Sequence, residues 1–315
     1  MGRVVDLSTS VASVRLKTAV MTAAGTSGHG AELGAYFDLS AIGAVVVKSL
    51  SVDPWPGNPG PRVCPVPGGM LNAVGLQGPG VEAWLADELP GLERAGASVV
   101  VSIWGQRVED YARAASALSG APPCVVALEV NVSCPNLEDR SRMFAHSPAA
   151  TAEAVAASVT CGRPLWAKLS PNTSELLDVA QAALAAGAEG LTLTNTLLGL
   201  AIDTERRTPV LAVGGGGLSG DALHAVALRA VYDCRAAFPD AGIVGVGGVS
   251  DGARAVAMLL AGADAVQVGT ATLCDPRASL RVQTELARWC ERHDVRAVRE
   301  LVGAANDKLK PRDKP

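Results

Sequence analysis

The sequence has few aromatic residues and no long apolar run. Phe, Trp and Tyr together make up 3% of its 315 residues. No stretch reaches the roughly 20 apolar residues that a membrane-spanning helix needs. Residues 1–17, "MGRVVDLSTSVASVRLK", lack the apolar core of a signal peptide. We therefore expect a soluble, cytoplasmic protein that has no membrane partner.

Basic charge and paired cysteines are also missing. The net charge is −4, and Lys and Arg form no basic run longer than the tail 307–315, so we expect no nucleic-acid partner. The seven cysteines include no CxxC pair, and the four histidines are scattered. These spacings argue against a disulfide framework and against a cysteine-ligated zinc or iron–sulfur site. No metal site is expected, and the cysteines are interpreted as reduced thiols.

What the sequence does contain is an alternation of β-rich and helical segments. Eight short apolar runs, which begin near residues 19, 43, 97, 124, 164, 190, 242 and 263, are separated by Ala- and Leu-rich stretches of helical period. The tripeptide Ala-Gly-Ala ends a helical stretch and precedes an apolar run three times, at 95–97, 186–188 and 261–263. This pattern predicts a (β/α)8 TIM barrel as a single domain over residues 1–315, with 296–315 as a polar C-terminal tail. A doubly wound open sheet is the alternative.

Polar residues follow the predicted strands, at the end of a barrel where active sites lie. Lys48 and Lys168 each end an apolar strand, and Asn131, Cys134 and Asn136 follow the fourth strand. Either lysine alone could simply extend its ammonium group to solvent. Two lysines on one rim with several amides favour an anionic ligand rich in heteroatoms.

Glycine clusters near the last strands give a second signal. They are "GGGGLSG" at 214–220, "GVGGVSDG" at 245–252 and "VGT" at 268–270. Each alone could be an ordinary turn. Together on neighbouring strands they favour a phosphate site, because loop amides of late barrel strands often bind phosphate.

Several stretches together resemble one known family. "GNPGPRV", "GGMLNAVGLQ", "NVSCPN", "NTLLGLAID", "GGLSG" and "GVGGVSDGARAVAMLLAGADAVQVGT" resemble dihydroorotate dehydrogenases, from about residue 23 to about residue 276. The cysteine in "SCPN" is similar to that of the class 1 enzymes, which lack the membrane-binding extension of class 2. "NTLLGLAID" and "GGLSG" resemble the class 1 subtype that works with NAD and an electron-transfer subunit.

The resemblance implies that FMN-dependent oxidation of dihydroorotate to orotate, a step of pyrimidine biosynthesis, takes place in the barrel mouth. Cys134 would be the general base, and Lys48 would contact both flavin and substrate. The implied FMN contacts are Ala24, Gly25, Lys48, Ser49, Asn131, Lys168, Thr194, Gly220, Gly247, Gly248, Gly269 and Thr270. The implied substrate contacts are Lys48, Asn72, Val74, Gly75, Leu76, Asn131, Asn136, Asn195 and Thr196.

The sequence departs from the family pattern at several positions and leaves alternatives open. Ser102 and Gly78 stand where many members have Asn, and His224 lies near a usual Lys. Two alternatives therefore stay open: a related FMN enzyme that acts on another dihydropyrimidine, and a barrel that binds FMN without turnover. The implied assembly is a homodimer, or a heterotetramer with an electron-transfer subunit that carries FAD and an iron–sulfur cluster. Fumarate is the alternative electron acceptor to NAD.

Overall fold

Eight parallel strands form the centre of the protein. The computed structural model describes residues 5–136 and 142–307, without the side chains of Pro135, Asn136, Arg142 and Asp307. In chain order the barrel strands are β1 (Val20–Thr22), β2 (Val45–Val46), β3 (Val99–Ile103), β4 (Val125–Asn131), β5 (Leu165–Leu169), β6 (Gly190–Leu193), β7 (Gly242–Val246) and β8 (Ala265–Val268). Each lies within one of the eight apolar runs, so the predicted strands are confirmed.

The sheet closes on itself between its first two strands. Neighbouring strands pair in chain order from β2 to β8, and β8 pairs with β1. Gly43 N then donates to Val20 O at 2.8 Å, and Thr22 N donates to Ala44 O at 3.2 Å. These bonds join the β1 and β2 edges, so the barrel prediction is confirmed and the open sheet is excluded.

The repeated Ala-Gly-Ala tripeptide has one structural role at all three sites. Gly96, Gly187 and Gly262 have φ values of 65°, 111° and 119°, which favour glycine because a Cβ is strained there. At the last site Gly262 N donates to Leu259 O at 2.9 Å and Ala263 N to Met258 O at 2.9 Å. This glycine ends the helix, and the chain enters β8 directly.

Helices cover the outside of the barrel. The α-helices are Val81–Ala83 and Leu89–Arg94, joined by a π-helical turn Trp84–Glu88, and then Val108–Ala117, Pro148–Ser158, Leu176–Ala185, His224–Ala237, Gly252–Ala261, Ala271–Cys274, Ala278–Arg292 and Ala304–Asp307. Between β1 and β2 the chain forms only the 3-10 turns Glu32–Ala35 and Leu39–Ala41. Further 3-10 turns are Phe144–His146, Val159–Cys161, Asp221–Leu223 and Val298–Leu301.

An N-terminal hairpin seals the end of the barrel opposite the polar rim. Its strands, Thr9–Val11 and Val14–Leu16, place Val11, Val14 and Leu16 against an interior layer that includes Trp166. A Cβ at Gly242 would lie 2.7 Å from Ala12 N, so glycine lets the hairpin approach β7 closely. Because this hairpin closes one end of the barrel, the rim formed by the C-terminal ends of the strands is the open end.

A four-stranded antiparallel sheet is a feature that the sequence does not predict. It pairs Val63–Val66 and Gly69–Asn72, from the segment after β2, with Gly216–Ser219 and Leu197–Gly199, from the segment after β6. The first glycines of "GGGGLSG" therefore lead into and form a strand of this sheet. Two further short pairs join Ile202–Asp203 to Thr208–Pro209 and Pro135–Asn136 to Arg142–Met143.

The segment predicted as a polar tail begins with packed residues. Val298 N donates to Asp6 O at 2.9 Å, and Val298 and Leu301 are buried. Residues 308–315 lie outside the described residues. Within residues 5–136 and 142–307, no helix is long and apolar enough to cross a membrane.

Candidate active site

Two lysines lie at the rim of the barrel with different partners. Lys168, at the end of β5, forms a buried ion pair in which its Nζ lies 3.2 Å from Glu129 Oε1. No carboxylate among the described residues pairs with Lys48, which follows β2. Burial, and then the charges of Lys168 and Arg62, lower the pKa of Lys48 to about 8. The charged form of Lys48 is therefore destabilised, and an anion bound near it would offset this effect.

Asn131 and Asn195 are joined in one hydrogen-bond network across the rim. Asn195 Nδ2 donates to Asn131 Oδ1 at 3.1 Å, and the same oxygen accepts from Ser133 N at 3.1 Å. Asn131 Nδ2 donates to Ser49 Oγ at 3.4 Å. Asn195 Oδ1 accepts from Thr196 N at 2.8 Å. These residues come from the ends of different strands, as the sequence predicts for a barrel.

Cys134 lies in a closed pocket behind this network. Its Sγ is 2.9 Å from the hydroxyl of Tyr111, 3.1 Å from Gly105 O and 3.4 Å from Asn131 O. Burial raises the pKa of the thiol to about 11, although the hydrogen bond from Tyr111 and that with Gly105 act in the opposite direction. The sulfur is therefore a neutral thiol at neutral pH and a strong base once ionised.

The segment from Asn72 to Leu76 approaches the rim from the antiparallel sheet. Asn72 Nδ2 donates to Gly217 O at 3.2 Å. Val74 O accepts from Asn58 N at 3.0 Å. Gly75 and Leu76 have φ values of 74° and 59°, and this backbone is rare for a residue such as leucine. Strained backbone of this kind concentrates at ligand sites.

Thr194 and Thr196 lie after β6 in different surroundings. Thr194 is buried, and its Oγ1 has no hydrogen-bond partner among the described residues. A Cβ at Gly217 would lie 2.1 Å from Thr196 Oγ1, so the threonine packs directly on the antiparallel sheet. A buried hydroxyl without a partner is costly, and a bound ligand could supply the missing hydrogen bond to Thr194.

The late glycines form a narrow cradle at the ends of β7 and β8. A Cβ at Gly248 would lie 2.9 Å from Gly220 O and 2.7 Å from the Cβ of His224. The backbone N–H groups of Gly248 and Thr270 donate to no acceptor among the described residues. Thr270 Oγ1 donates to Ser219 Oγ at 2.8 Å. Free amides beside glycines suit a phosphate group.

The remaining predicted residues are placed at the same rim. Ala24 and Gly25 follow β1, and a Cβ at Gly25 would lie 3.5 Å from Lys48 Nζ. Gly269 follows β8, and a Cβ there would lie 3.4 Å from the Cβ of Ala23. Gly247, with a φ of 137°, precedes Gly248 in the cradle. The side chain of Asn136 lies outside the described residues.

The structure shows what lies next to the three residues that depart from the family pattern, Ser102, Gly78 and His224. Ser102 is buried, and its Oγ lies 2.9 Å from Ser49 Oγ. A Cβ at Gly78 would lie 3.2 Å from His29 Nε2, which is buried and has no partner among the described residues. His224 Nδ1 lies 3.0 Å from Gly247 O, behind the glycine cradle. Ser102 thus adjoins the Asn131 network, and His224 adjoins the cradle.

Two residues that contact the site, Tyr111 and Glu129, were not singled out from the sequence. Tyr111 lies on helix Val108–Ala117 and bonds Cys134. Glu129 is buried on β4 and accepts from Gln267 Nε2 at 2.8 Å as well as from Lys168. A carboxylate two residues before Asn131 on an inward-facing strand could have been a signal for Glu129. The helical pattern gave none for Tyr111.

Known proteins are similar to this chain over almost its full length. A family model described as dihydroorotate dehydrogenase matches residues 6–289. A protein of Pelobacter propionicus named dihydroorotate dehydrogenase B (NAD(+)), catalytic subunit, is 45% identical over 300 residues, which cover 95% of this chain and 98% of that protein. A protein of the same name from Desulforudis audaxviator is 45% identical over 303 residues, with 96% and 98% covered. A third, from Geobacter sp. strain M21, is 43% identical over 300 residues, with 95% and 98% covered.

Proposed function

The chain belongs to the dihydroorotate dehydrogenase family and oxidises dihydroorotate to orotate, and we propose that Cys134 is the general base of this reaction. The reaction is a step of pyrimidine biosynthesis, and FMN is the family's cofactor. The observation that carries the proposal is the position of a buried thiol directly behind the rim network of Asn131 and Asn195.

The rim suits FMN in two ways. The cradle of Gly220, Gly247 and Gly248 offers a backbone amide without an acceptor among the described residues, and Thr270 offers a second, where a phosphate can bind. Thr194 Oγ1 lacks a partner in the described part of the chain, and Lys168 provides a cation at the end of β5. When bound, FMN supplies the acceptor for the hydride that leaves the substrate.

The proposed role of Cys134 is to move a proton. It would remove the proton from the substrate carbon next to the one that loses hydride, and it must be a thiolate to do so. With its pKa raised to about 11 by burial, the resting sulfur holds a proton at neutral pH. That proton has to pass to water before the sulfur accepts one from the substrate.

The proposed role of the rim amides is to recognise the substrate ring. Asn72, Asn131 and Asn195 each carry both a donor and an acceptor, which suits a ring with alternating carbonyl and N–H groups. Asn136 follows the base in the sequence and is proposed to join this set, with Val74, Gly75, Leu76 and Thr196 around it. Lys48 lacks a carboxylate partner among the described residues and is proposed to bind the substrate carboxylate.

We further propose that electrons leave through a second protein. The similar proteins are named as NAD(+)-linked catalytic subunits, and a catalytic subunit implies a separate electron-transfer subunit. That subunit is proposed to carry FAD and an iron–sulfur cluster, in a heterotetramer built on a homodimer. All seven cysteines are free thiols, which supports a cytoplasmic location.

Anaerobic reduction tests this function. The purified protein is expected to be yellow and to bleach with dihydroorotate, and the bleached protein is then mixed with NAD, fumarate or a quinone. NAD is expected to restore the colour only when the electron-transfer subunit is added. A yellow protein that does not bleach would support another substrate or FMN binding without turnover. Recovery with fumarate alone would overturn the proposed electron acceptor.

A further inference from the structure

The hydroxyl of Tyr111 is placed between the base and the strand that precedes it. Its oxygen lies 2.9 Å from Cys134 Sγ and 2.8 Å from Asn131 O. Tyr111 and Cys134 are both fully buried, and the tyrosine ring packs edge-on against Phe144 with centroids 5.4 Å apart. The hydroxyl is therefore shielded from bulk solvent, and packing holds the tyrosine ring while its O–H bond remains able to rotate.

The hydrogen-bond partners of the sulfur change with its protonation state. As a thiol, Cys134 can donate its S–H to Gly105 O, while Tyr111 donates its single proton to Asn131 O. As a thiolate, the sulfur can only accept. Tyr111 is the only side-chain donor within hydrogen-bond distance of the sulfur in the described part of the chain, and a rotation of its O–H is enough to reach it.

We propose that Tyr111 is a positioning residue for the base, whose hydroxyl switches its proton from Asn131 O to the Cys134 sulfur when the thiolate forms. The proposal rests on the proposed role of Cys134. A hydrogen bond to a charged group is among the strong ones, so losing it removes stabilisation from the thiolate alone. The tyrosine keeps its own proton throughout, since burial and the neighbouring Cys134 raise its pKa well above the usual value.

Tyr111 is the side chain that favours the thiolate among the groups facing the sulfur, beside backbone contacts at Gly105 and Cys134 that also lower the pKa of the thiol. Asp110, on the same helix, faces both residues and opposes ionisation of each. Its own carboxylate is held by the backbone N–H groups of Gln106 and Arg107, at 2.9 Å and 3.0 Å. The strand side contributes Asn131 O and the loop side Gly105 O, which are acceptors. Among the described residues no cation adjoins the sulfur.

The first test is the pH profile of flavin reduction in the Tyr111→Phe holoenzyme. The phenylalanine keeps the ring contact with Phe144 and removes only the hydroxyl. We expect a thiolate pKa raised by about one unit or more, which lowers the reduction rate at pH 7 by about tenfold. The profile should run parallel to that of the unaltered enzyme below the pKa, and the KM for dihydroorotate should change little.

A change that should raise the reduction rate, where Tyr111→Phe should lower it, distinguishes this role from simple packing. The chain has three tyrosines, so a Tyr36→Phe, Tyr232→Phe double variant leaves Tyr111 as the only tyrosine. This double variant serves as the control and should reduce at the unaltered rate. When it is made with 3-fluorotyrosine, the more acidic phenol is a better donor and should speed flavin reduction at pH 7. A fluorinated enzyme that is slower than its control, with a Tyr111→Phe profile that does not shift, would overturn the proposal.

A second readout does not depend on turnover. The carbon-13 resonance of Cys134 Cβ, assigned by its loss in Cys134→Ser, reports ionisation of the thiol in the holoenzyme. At pH 10 we expect a smaller thiolate fraction in Tyr111→Phe than in the unaltered protein. Equal fractions would overturn the proposal even where the flavin reacts. If dihydroorotate fails to reduce the flavin but this difference is seen, the proposed function fails while the contact between Tyr111 and Cys134 stands.

Discussion

Glu129 Oε1 and Lys168 Nζ lie 3.2 Å apart in the interior of the barrel, where both side chains are almost fully excluded from solvent. The second carboxylate oxygen, Oε2, accepts from Gln267 Nε2 at 2.8 Å. Lys168 pairs in register with Asn131 on β4 and with Thr192 on β6. The ion pair thus fixes the rim lysine from below, through a network that reaches three strands.

Breaking this buried pair should destabilise the protein. Glu129→Gln leaves the Lys168 charge buried without a counter-charge, and such changes cost about 3 to 5 kcal/mol of unfolding free energy. Lys168→Met alone should cost a similar amount, and the double variant should cost less than the sum. Urea unfolding of the FMN-free protein measures all three.

An exposed ion pair of equal length is the matched control. Arg113 Nη1 lies 3.2 Å from Asp53 Oδ2, and both side chains are more than half exposed. Asp53→Asn should change the unfolding free energy by less than about 1 kcal/mol. If the two carboxylates prove equally important, burial is not what gives the Glu129 pair its effect.

Lys48 should make the stability of the FMN-free protein depend on pH. Folding lowers its pKa from 10.5 to about 8, chiefly through burial, so the folded chain loses this proton at lower pH than the unfolded chain. Below pH 8 the buried charge reduces stability, and the deficit disappears as pH rises from 8 to 10.5. Lys48→Met should be more stable at pH 7, by up to about 3 kcal/mol, and this gain should shrink across that range.

Two comparisons make the Lys48 measurement specific. Lys17 is exposed, so Lys17→Met should change the unfolding free energy at pH 7 by only about 0.5 kcal/mol or less, as surface substitutions usually do. The charge of Lys48 also lowers the pKa of His29, but a histidine with a pKa below 6.5 stays neutral from pH 8 to 10.5, so the change in the Lys48→Met gain across that range reports Lys48. If the gain in stability of Lys48→Met stayed constant with pH, burial would not lower the pKa of Lys48 in the folded protein.

Filling the glycine cradle should weaken FMN binding. An added methyl group in Gly248→Ala would lie 2.9 Å from Gly220 O, on backbone with a φ of 64°. The backbone N–H groups of the cradle should shift, so we expect the dissociation constant for FMN, measured by adding FMN back to the FMN-free variant, to rise about tenfold or more. Gly120→Ala is the control, since a Cβ at Gly120 meets no atom of the described residues within 4 Å. Unchanged FMN affinity in Gly248→Ala would place the phosphate elsewhere.

The barrel itself could be predicted because its signals are local. Each β-rich run is buried on both faces, so it is apolar along its whole length, and glycines such as Gly262 mark where the helix ends. Polar residues then stand out at the strand ends. Lys48, Asn131 and Lys168 could be assigned to one rim because parallel strands of a barrel share one C-terminal face.

The antiparallel sheet could not be predicted, because it pairs segments far apart in the chain. Asn72 lies opposite Gly217, 145 residues away, and neither segment alternates clearly between apolar and polar residues. "GGGGLSG" predicted a phosphate loop, whereas Gly216–Ser219 form an inner strand of this sheet, paired on both sides. Only Gly220 of that run reaches the cradle.

The contacts of the base could not be predicted either. Tyr111 belongs to a helix whose sequence shows only its periodic buried face, and buried aromatic residues on such a face usually pack in the core. Its hydroxyl reaches Cys134 because helix Val108–Ala117 packs behind the loop after β4. That arrangement depends on tertiary structure, which the spacing of the residues does not reveal.

The role of Cys134 as general base is tested most directly by the rate at which dihydroorotate bleaches the bound flavin without oxygen. This rate is compared between Cys134→Ser and the unaltered enzyme. A serine hydroxyl is a far weaker acid than a thiol, so the variant should keep FMN and reduce it at least 100-fold more slowly at pH 7, within the range of about 100- to 10,000-fold typical of general bases. Cys161→Ser, at a buried cysteine on the outer side of the barrel, should bleach at the unaltered rate. Equal bleaching rates in Cys134→Ser and the unaltered enzyme would show that Cys134 is a packing residue and contradict the account.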